Sequence, residues 1–179
     1  MPRYVALLRG VNVGKANRVA MSEFKALLET LDCTDVKTLL NSGNAVFSSS
    51  ARSSEKLASA IGAQVQSTLD VKTPVVVKSA AQLAAIVSGA PISPPDTDHS
   101  KFFVAFGRDE QAVQTLAPLV PLARAPERLV ITSQAAYLHC PEGLLQSKAG
   151  EAILGRQGRE VTTRNWATVL KIQALLNAT

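Results

Sequence analysis

Aromatic rings are scarce in this chain: Phe, Trp and Tyr make up 4% of its 179 residues, with a single tryptophan. A sheet that reads RNA by stacking bases needs exposed aromatics, and Phe102, Phe103 and Phe106 occupy one apolar run that reads as a buried strand. Cysteine is equally sparse. Cys33 and Cys140 are too few for a disulfide framework and belong to no Cys-x-x-Cys pair, which points to reduced packing residues in a cytoplasmic protein. Two histidines, His99 and His139, with no clustered acids at ligand spacing, leave no basis for a transition-metal site. The fourteen acids are scattered, so no paired-carboxylate signal for acid–base catalysis appears. Gly-x-Ser-x-Gly is absent, and no apolar run is long enough to span a bilayer or to act as a signal peptide.

What is present describes a well-cored globular chain. The apolar fraction is 46% and the charged fraction 18%, far from a disordered composition. The net charge of +5 is unevenly placed. Residues 1–22 carry Arg3, Arg9, Lys15 and Arg18 with no acid, and residues 143–179 carry five cations against Glu151 and Glu160. The remainder is slightly acidic. Two terminal basic segments favour an anionic partner: a phosphate-bearing small molecule, a nucleotide or a nucleic acid. A basic surface that only maintains solubility is the plainer alternative.

Periodicity predicts strand, helix, strand, strand, helix, strand in the first half. Tyr4 to Leu8 is a short apolar strand. Ser22 is placed to cap a helix whose stripe is Phe24, Leu27, Leu28 and Leu31. Val36 to Leu40 and Ala45 to Phe47 flank the turn residues Asn41-Ser42-Gly43-Asn44, a hairpin pattern. Leu57, Ile61, Val65 and Leu69 recur every four residues, and Pro74 opens the strand Val75-Val76-Val77. A capping box, Ser79-x-x-Gln82, then starts a helix carrying Leu83, Ile86 and Val87.

Residues 89–100, rich in Pro and small polar side chains, read as a linker between units at 1–88 and 101–179. The second half repeats the order: a strand from Phe102 to Phe106, a helix capped by Asp109 and ended by Pro118, then a hairpin from Leu129 to His139. A short helix near Lys148 to Leu154 and a last helix from about Arg164 to Leu176 complete it. The expected fold is α+β: two ferredoxin-like βαββα(β) units with mainly antiparallel sheets, the second unit exchanging its last strand for the C-terminal helix.

Two segments concentrate polar chemistry. Gly10-Val11-Asn12-Val13-Gly14-Lys15 is not a Walker loop, because only three residues separate the glycines and Ala16 follows the lysine. Its glycines nevertheless permit an anion nest, with Asn12 as donor and acceptor and Arg9, Lys15 and Arg18 as charges. The alternative is a long strand-to-helix loop. Ser42, Gly43 and Asn44 suit any tight hairpin, although Asn41 and Asn44 are placed to present their amides at one sheet edge. Thr162-Thr163-Arg164-Asn165-Trp166-Ala167-Thr168 places an arginine in what reads as an opening helical turn, where unpaired N–H groups attract anions. Arg164 suits a phosphate or an internal carboxylate equally. Trp166 is read as core in preference to a stacking platform.

The segments Leu8 to Gly14, Ser42-Gly43-Asn44 with Val46-Phe47, and Thr163 to Trp166 with Thr168 together resemble a bacterial family known as domain of unknown function 1697. The resemblance runs from about Tyr4 to Leu176. It implies an α+β fold of two ferredoxin-like units and signature positions at Arg9, Asn12, Ser42, Gly43, Asn44, Arg164, Asn165 and Trp166. Lys15 stands where members often have a second glycine, and Leu39 and Asn41 stand where Tyr and Gln are common. The resemblance implies no activity.

The candidate ligand-binding set is therefore Arg9, Asn12, Gly14, Lys15, Ser42, Asn44, Arg164 and Asn165, with no metal and no cofactor motif. The leading expectation is a cytoplasmic binding protein for an anionic ligand. The alternatives are a small enzyme on a phosphorylated or nucleotide-like substrate, working by positioning and electrostatics, and signature residues that are purely structural.

Overall fold

The computed structural model describes residues 1–178 and divides into two compact units, Met1–Leu83 with the segment from Ile172, and Ala84–Lys171. The first unit runs β1 (Arg3–Leu8), α1 (Met21–Thr30), β2 (Thr34–Leu39), β3 (Asn44–Ser48), α2 (Ser54–Leu69) and β4 (Val75–Ser79). Its four strands form an antiparallel sheet in the order β2-β3-β1-β4. Helix α3 (Ala80–Ser88) follows, and the division between units falls inside it.

The second unit holds β5 (Phe102–Gly107), α4 (Glu110–Gln114), β6 (Arg128–Ile131), β7 (Ala136–His139), α5 (Lys148–Leu154) and β8 (Val161–Asn165). Its sheet is also antiparallel, in the order β6-β7-β5-β8. Helix α6 (Trp166–Asn177) closes the described chain, and the second division between units falls inside it. Among the described residues, no helix is long and apolar enough to cross a membrane.

Apolar spacing accounts for the helices. In α1, Phe24, Leu27 and Leu28 point into the core, and in α2 the buried stripe is Leu57, Ala58, Ile61 and Val65. These pack against Tyr4, Ala6, Leu8, Ala45 and Phe47 from one face of the sheet. Full burial of a side chain such as Phe24 contributes about 1.5–3 kcal/mol. The other face is buried too, through Val5, Leu7, Val46 and Val76. With both faces covered, β1 is a continuous apolar run and does not alternate. In the second unit Ala105, Leu129, Leu138, Ala149 and Ile153 form one side of the core. The opposite face presents Phe102, Val104, Phe106 and Tyr137, all fully buried.

Several local signals operate as read. The capping box closes reciprocally, Gln82 N donating to Ser79 Oγ at 3.1 Å and Ser79 N to Gln82 Oε1 at 2.8 Å. Asp109 caps α4 by accepting from Ala112 N at 2.8 Å. The Leu40–Gly43 segment is a hairpin turn between β2 and β3.

Four expectations are corrected. Helix α1 is not capped by Ser22: it begins at Met21, and its N-cap Ala20 offers no side-chain acceptor. Helix α4 stops at Gln114 before Pro118, which instead enters a 3-10 turn over Ala117–Leu122. Residues 161–165 are not a helix start but the strand β8, so the second unit keeps its last strand and adds α6 after it. Three consecutive β-branched residues, Val161, Thr162 and Thr163, disfavour helix and pack well on a pleated surface.

The Pro-rich segment 89–100 is no free linker, because it is bound to the second unit. His139 Nε2 meets Asp98 Oδ2 at 2.8 Å and Ala167 N donates to the His99 carbonyl at 3.4 Å, while just before the segment Tyr137 Oη donates to the Ile86 carbonyl of α3 at 2.6 Å. A segment held by ties to β7 and α6 belongs to the unit that owns them, and the boundary moves back into α3.

Candidate functional site

In the first unit the chain leaves β1 at Leu8, whose N–H donates to the Gly43 carbonyl at 2.9 Å. Arg9 is pinned next. Its N–H is shared between the Pro74 carbonyl and Thr73 Oγ1, both at 3.2 Å, while the Thr73 hydroxyl donates to the Arg9 carbonyl. Burial holds the Arg9 guanidinium below its ordinary pKa, because the charged form loses water. Gly10 then adopts a positive φ of 65° and turns the chain outward.

Asn12 organises the loop that follows. It sits in the left-handed region at φ 58°, where asparagine is the least strained residue after glycine. Its Nδ2 donates to the carbonyls of Val19 and Asn41, both at 2.7 Å, and its Oδ1 accepts from Val19 N at 2.8 Å. Its own N–H donates to the Asn17 carbonyl at 3.0 Å. Each such bond contributes about 0.5–1.5 kcal/mol net. The amide thus closes the loop on itself and ties it to the β2–β3 turn. Val11 and Val19, both buried, anchor the two ends in the core, and residues 13–18 form an exposed tip.

Within that tip Lys15 is exposed, and Arg18 donates from Nη1 to the Gly14 carbonyl at 3.2 Å. Beside it lies an open pocket of about 350 Å³ lined by Asn12, Arg18, Val19, Ala20, Glu23 and Asn41. Its lining therefore includes one arginine, one glutamate and two asparagines. The hairpin turn borders the same loop through the Asn12–Asn41 bond. Asn44, almost fully buried, donates from Nδ2 to the Leu39 carbonyl at 2.9 Å and to Ser42 Oγ at 2.8 Å. Gly43 has φ 87°, and a Cβ there would stand 2.7 Å from Leu8 Cβ, so this turn needs glycine for both reasons.

Arg164 and Asn165 belong to the second unit. Arg164 lies on β8 opposite Val104 and is 7% exposed. Its Nη1 donates to Thr162 Oγ1 and to the Thr163 carbonyl, both at 2.8 Å. Burial pulls its pKa down to about 10, which leaves it charged at neutral pH. Asn165 is the cap of α6, its Oδ1 accepting from Thr168 N at 2.9 Å. Trp166 packs on Phe102 with ring centroids 5.0 Å apart, a core position and not an open stacking platform. Among the described residues, no group of three or more His, Cys, Asp or Glu is placed to hold a metal ion.

The structure thus gathers Asn12, Gly14 and Lys15 on one loop and sets Ser42 in the turn tied to it and Asn44 at the start of β3, with Arg9 anchored at the loop's entry. The sequence reading passed over Glu23 and Asn41 as pocket residues. In the sequence Asn41 is a turn residue able to present its amide at a sheet edge, and Glu23 an acid in a first helical turn, and neither carries a signal that marks a pocket.

A family model described as "Protein of unknown function (DUF1697)" matches residues 1–137. The chain belongs to the DUF1697 family. That match holds both first-unit motifs of the DUF1697 chain, while the segment Thr163 to Thr168 lies beyond it. Among solved structures, a conserved bacterial protein, SP0830 from Streptococcus pneumoniae, has a similar fold: TM-score 0.75 and 23% identity, covering 98% of this chain and 99% of that one. None of the curated proteins matches this DUF1697 chain.

Proposed function

We propose that the protein is a cytoplasmic binding protein for a phosphate-bearing ligand, held at the 9–20 loop of the first unit. The observation that carries this reading is the pocket of about 350 Å³ beside Arg18, on a loop whose shape is set by internal bonds. Lys15 stands exposed on the same tip, and residues 1–22 bring four cations and no acid. A pre-shaped loop with a guanidinium is suited to phosphate, since little ordering entropy remains to be lost on binding. The buried free thiols Cys33 and Cys140 suit a reducing compartment. We also read each βαββαβ unit as ferredoxin-like.

A second role fits the remaining signature residues. Asn12, Asn44 and Asn165 use their side-chain amides on backbone groups, and Arg164 is buried on its own strand. These are ties that specify the fold, and the ligand contacts fall to Lys15, Arg18 and the loop backbone around Gly14.

Titration calorimetry with pyrophosphate, and anisotropy with oligonucleotides at about 50 and 200 mM salt, test the reading. Binding should weaken about tenfold, or 1.4 kcal/mol, in Arg18→Ala with an unchanged melting temperature. Absence of binding to every one of these anions at low salt would end it.

A further inference from the structure

Resting on that reading, and narrowing it, we infer that the pocket takes a small phosphomonoester that also carries a hydrogen-bond donor, an ammonium or a hydroxyl group, and not a polyanion. The pocket is lined by two opposite charges, Arg18 and Glu23, together with Asn12 and Asn41. Arg18 has a planar fork of five N–H donors, and its Nη1 bond to the Gly14 carbonyl orients that fork while occupying one of them. It is the phosphate end.

Glu23 is an acceptor only, and a carboxylate opposes any second negative group brought beside it. It is satisfied by a donor on the ligand. Asn12 does not recognise ligand, because its amide is committed to Val19 and Asn41. Asn41 gives its carbonyl to Asn12 and is itself part of the pocket lining.

Size and lining separate this class from nucleic acid. A pocket of about 350 Å³ lies at the small end of ligand sites, roughly 300–1,000 Å³. Its lining contains no aromatic ring, whereas single-stranded nucleic acid is held by bases stacked on aromatic side chains. Phosphodiester repeats would also bring further negative charge past Glu23. A compact ester with an anionic head and a donor a few bonds away meets both charges at once.

The experiment is calorimetric titration of the full chain with inorganic phosphate, O-phosphoethanolamine and glycerol 3-phosphate, with an oligonucleotide in parallel. Wild type, Arg18→Gln and Glu23→Gln are compared after circular dichroism confirms that each is folded. The two esters should bind about tenfold more tightly than inorganic phosphate. Glu23→Gln, which keeps an acceptor but loses the charge, should shrink that advantage, most for the ammonium ester, while leaving inorganic phosphate bound as before or better, and Arg18→Gln should weaken all three. Whichever ester binds better identifies the donor as ammonium or hydroxyl.

Equal affinity for esters and inorganic phosphate would overturn the inference. So would a Glu23→Gln variant that binds all three more tightly by the same factor, or an oligonucleotide that outcompetes the esters. In each of those cases the phosphate site itself survives. If no phosphate compound binds the wild type, or if Arg18→Gln changes nothing, the underlying phosphate reading fails as well.

Discussion

The two units share one strand order, β2-β3-β1-β4 in the first and β6-β7-β5-β8 in the second, yet join their first strand to their first helix very differently. Between β1 and α1 the chain runs through residues 9–20, whereas β5 and α4 are linked by Arg108 and Asp109 alone. In the second unit the capping residue is itself the connection. The topology therefore closes without a long loop, and the 9–20 excursion is an addition to it. Long, ordered connections on rigid scaffolds are where binding sites concentrate.

The hairpin turns differ in the same sense. Thr132 satisfies its turn internally, accepting from Gln134 N and Ala135 N at 3.2 Å and donating to the Ala135 carbonyl at 2.9 Å. Its counterpart in the first unit gives the Asn41 carbonyl to Asn12. Helix lengths run in parallel: α1 and α2 have 10 and 16 residues, α4 and α5 only 5 and 7. One topology thus supports both a loop-bearing unit and a pared-down one.

The second unit is most vulnerable at its tight joints. A Cβ at Gly158, in the turn before β8, would land on the Ile153 carbonyl oxygen. Gly158→Ala should cost about 3 kcal/mol in denaturant unfolding. A change within about 0.5 kcal/mol would show that this unit is looser than its short connections indicate.

A smaller effect is expected at the first unit's loop. Asn12→Ala removes three side-chain bonds and places alanine at a positive φ, a loss of about 2 kcal/mol. It should also speed tryptic cleavage after Lys15 and Arg18. Gln134→Ala, in the second unit's exposed turn, should stay within about 0.5 kcal/mol. Matching losses at the two sites would erase the distinction between the loops.

The subtlest reporter is the pair of thiols, one in each unit. Burial, reinforced by Asp32, raises the Cys33 pKa from 9.0 to about 11, and burial with Glu127 does the same for Cys140 against a smaller opposing effect of Lys101. The native state keeps these protons where the unfolded chain releases them, so stability should fall as pH climbs from about 9 to 11. At pH 8 alkylation requires opening of the surrounding unit. With shorter helices over its sheet, the second unit should open more readily, and Cys140 should label several-fold faster than Cys33. Equal rates would mean that the two units open together.

Much of the fold was legible because its determinants are local. Leu57, Ile61, Val65 and Leu69 announce α2 by spacing alone, and Ser79 with Gln82, like Asp109, marks a helix start through bonds a few residues long. Residues 161–165 were misread because Thr-Thr-Arg-Asn carries both β-branched and capping residues. The β-branched residues form β8, and Asn165 at its end caps α6, which begins at Trp166, two residues after the expected Arg164. In the site, glycines and cations marked the 9–20 loop, while the pocket depends on which side chains meet across it.

The sequence by itself determined the helices and most strands, the two hairpin turns, and the basic loop after β1, since spacing and turn chemistry act between near neighbours. Tertiary structure decided that the Asn12 amide is tied to Val19 and Asn41, that residues 89–100 belong with the second unit, and that Arg164 is buried on a strand. Those outcomes rest on hydrogen bonds between residues far apart in the chain, such as Tyr137 with Ile86 and His139 with Asp98, and on desolvation, which only a folded environment imposes.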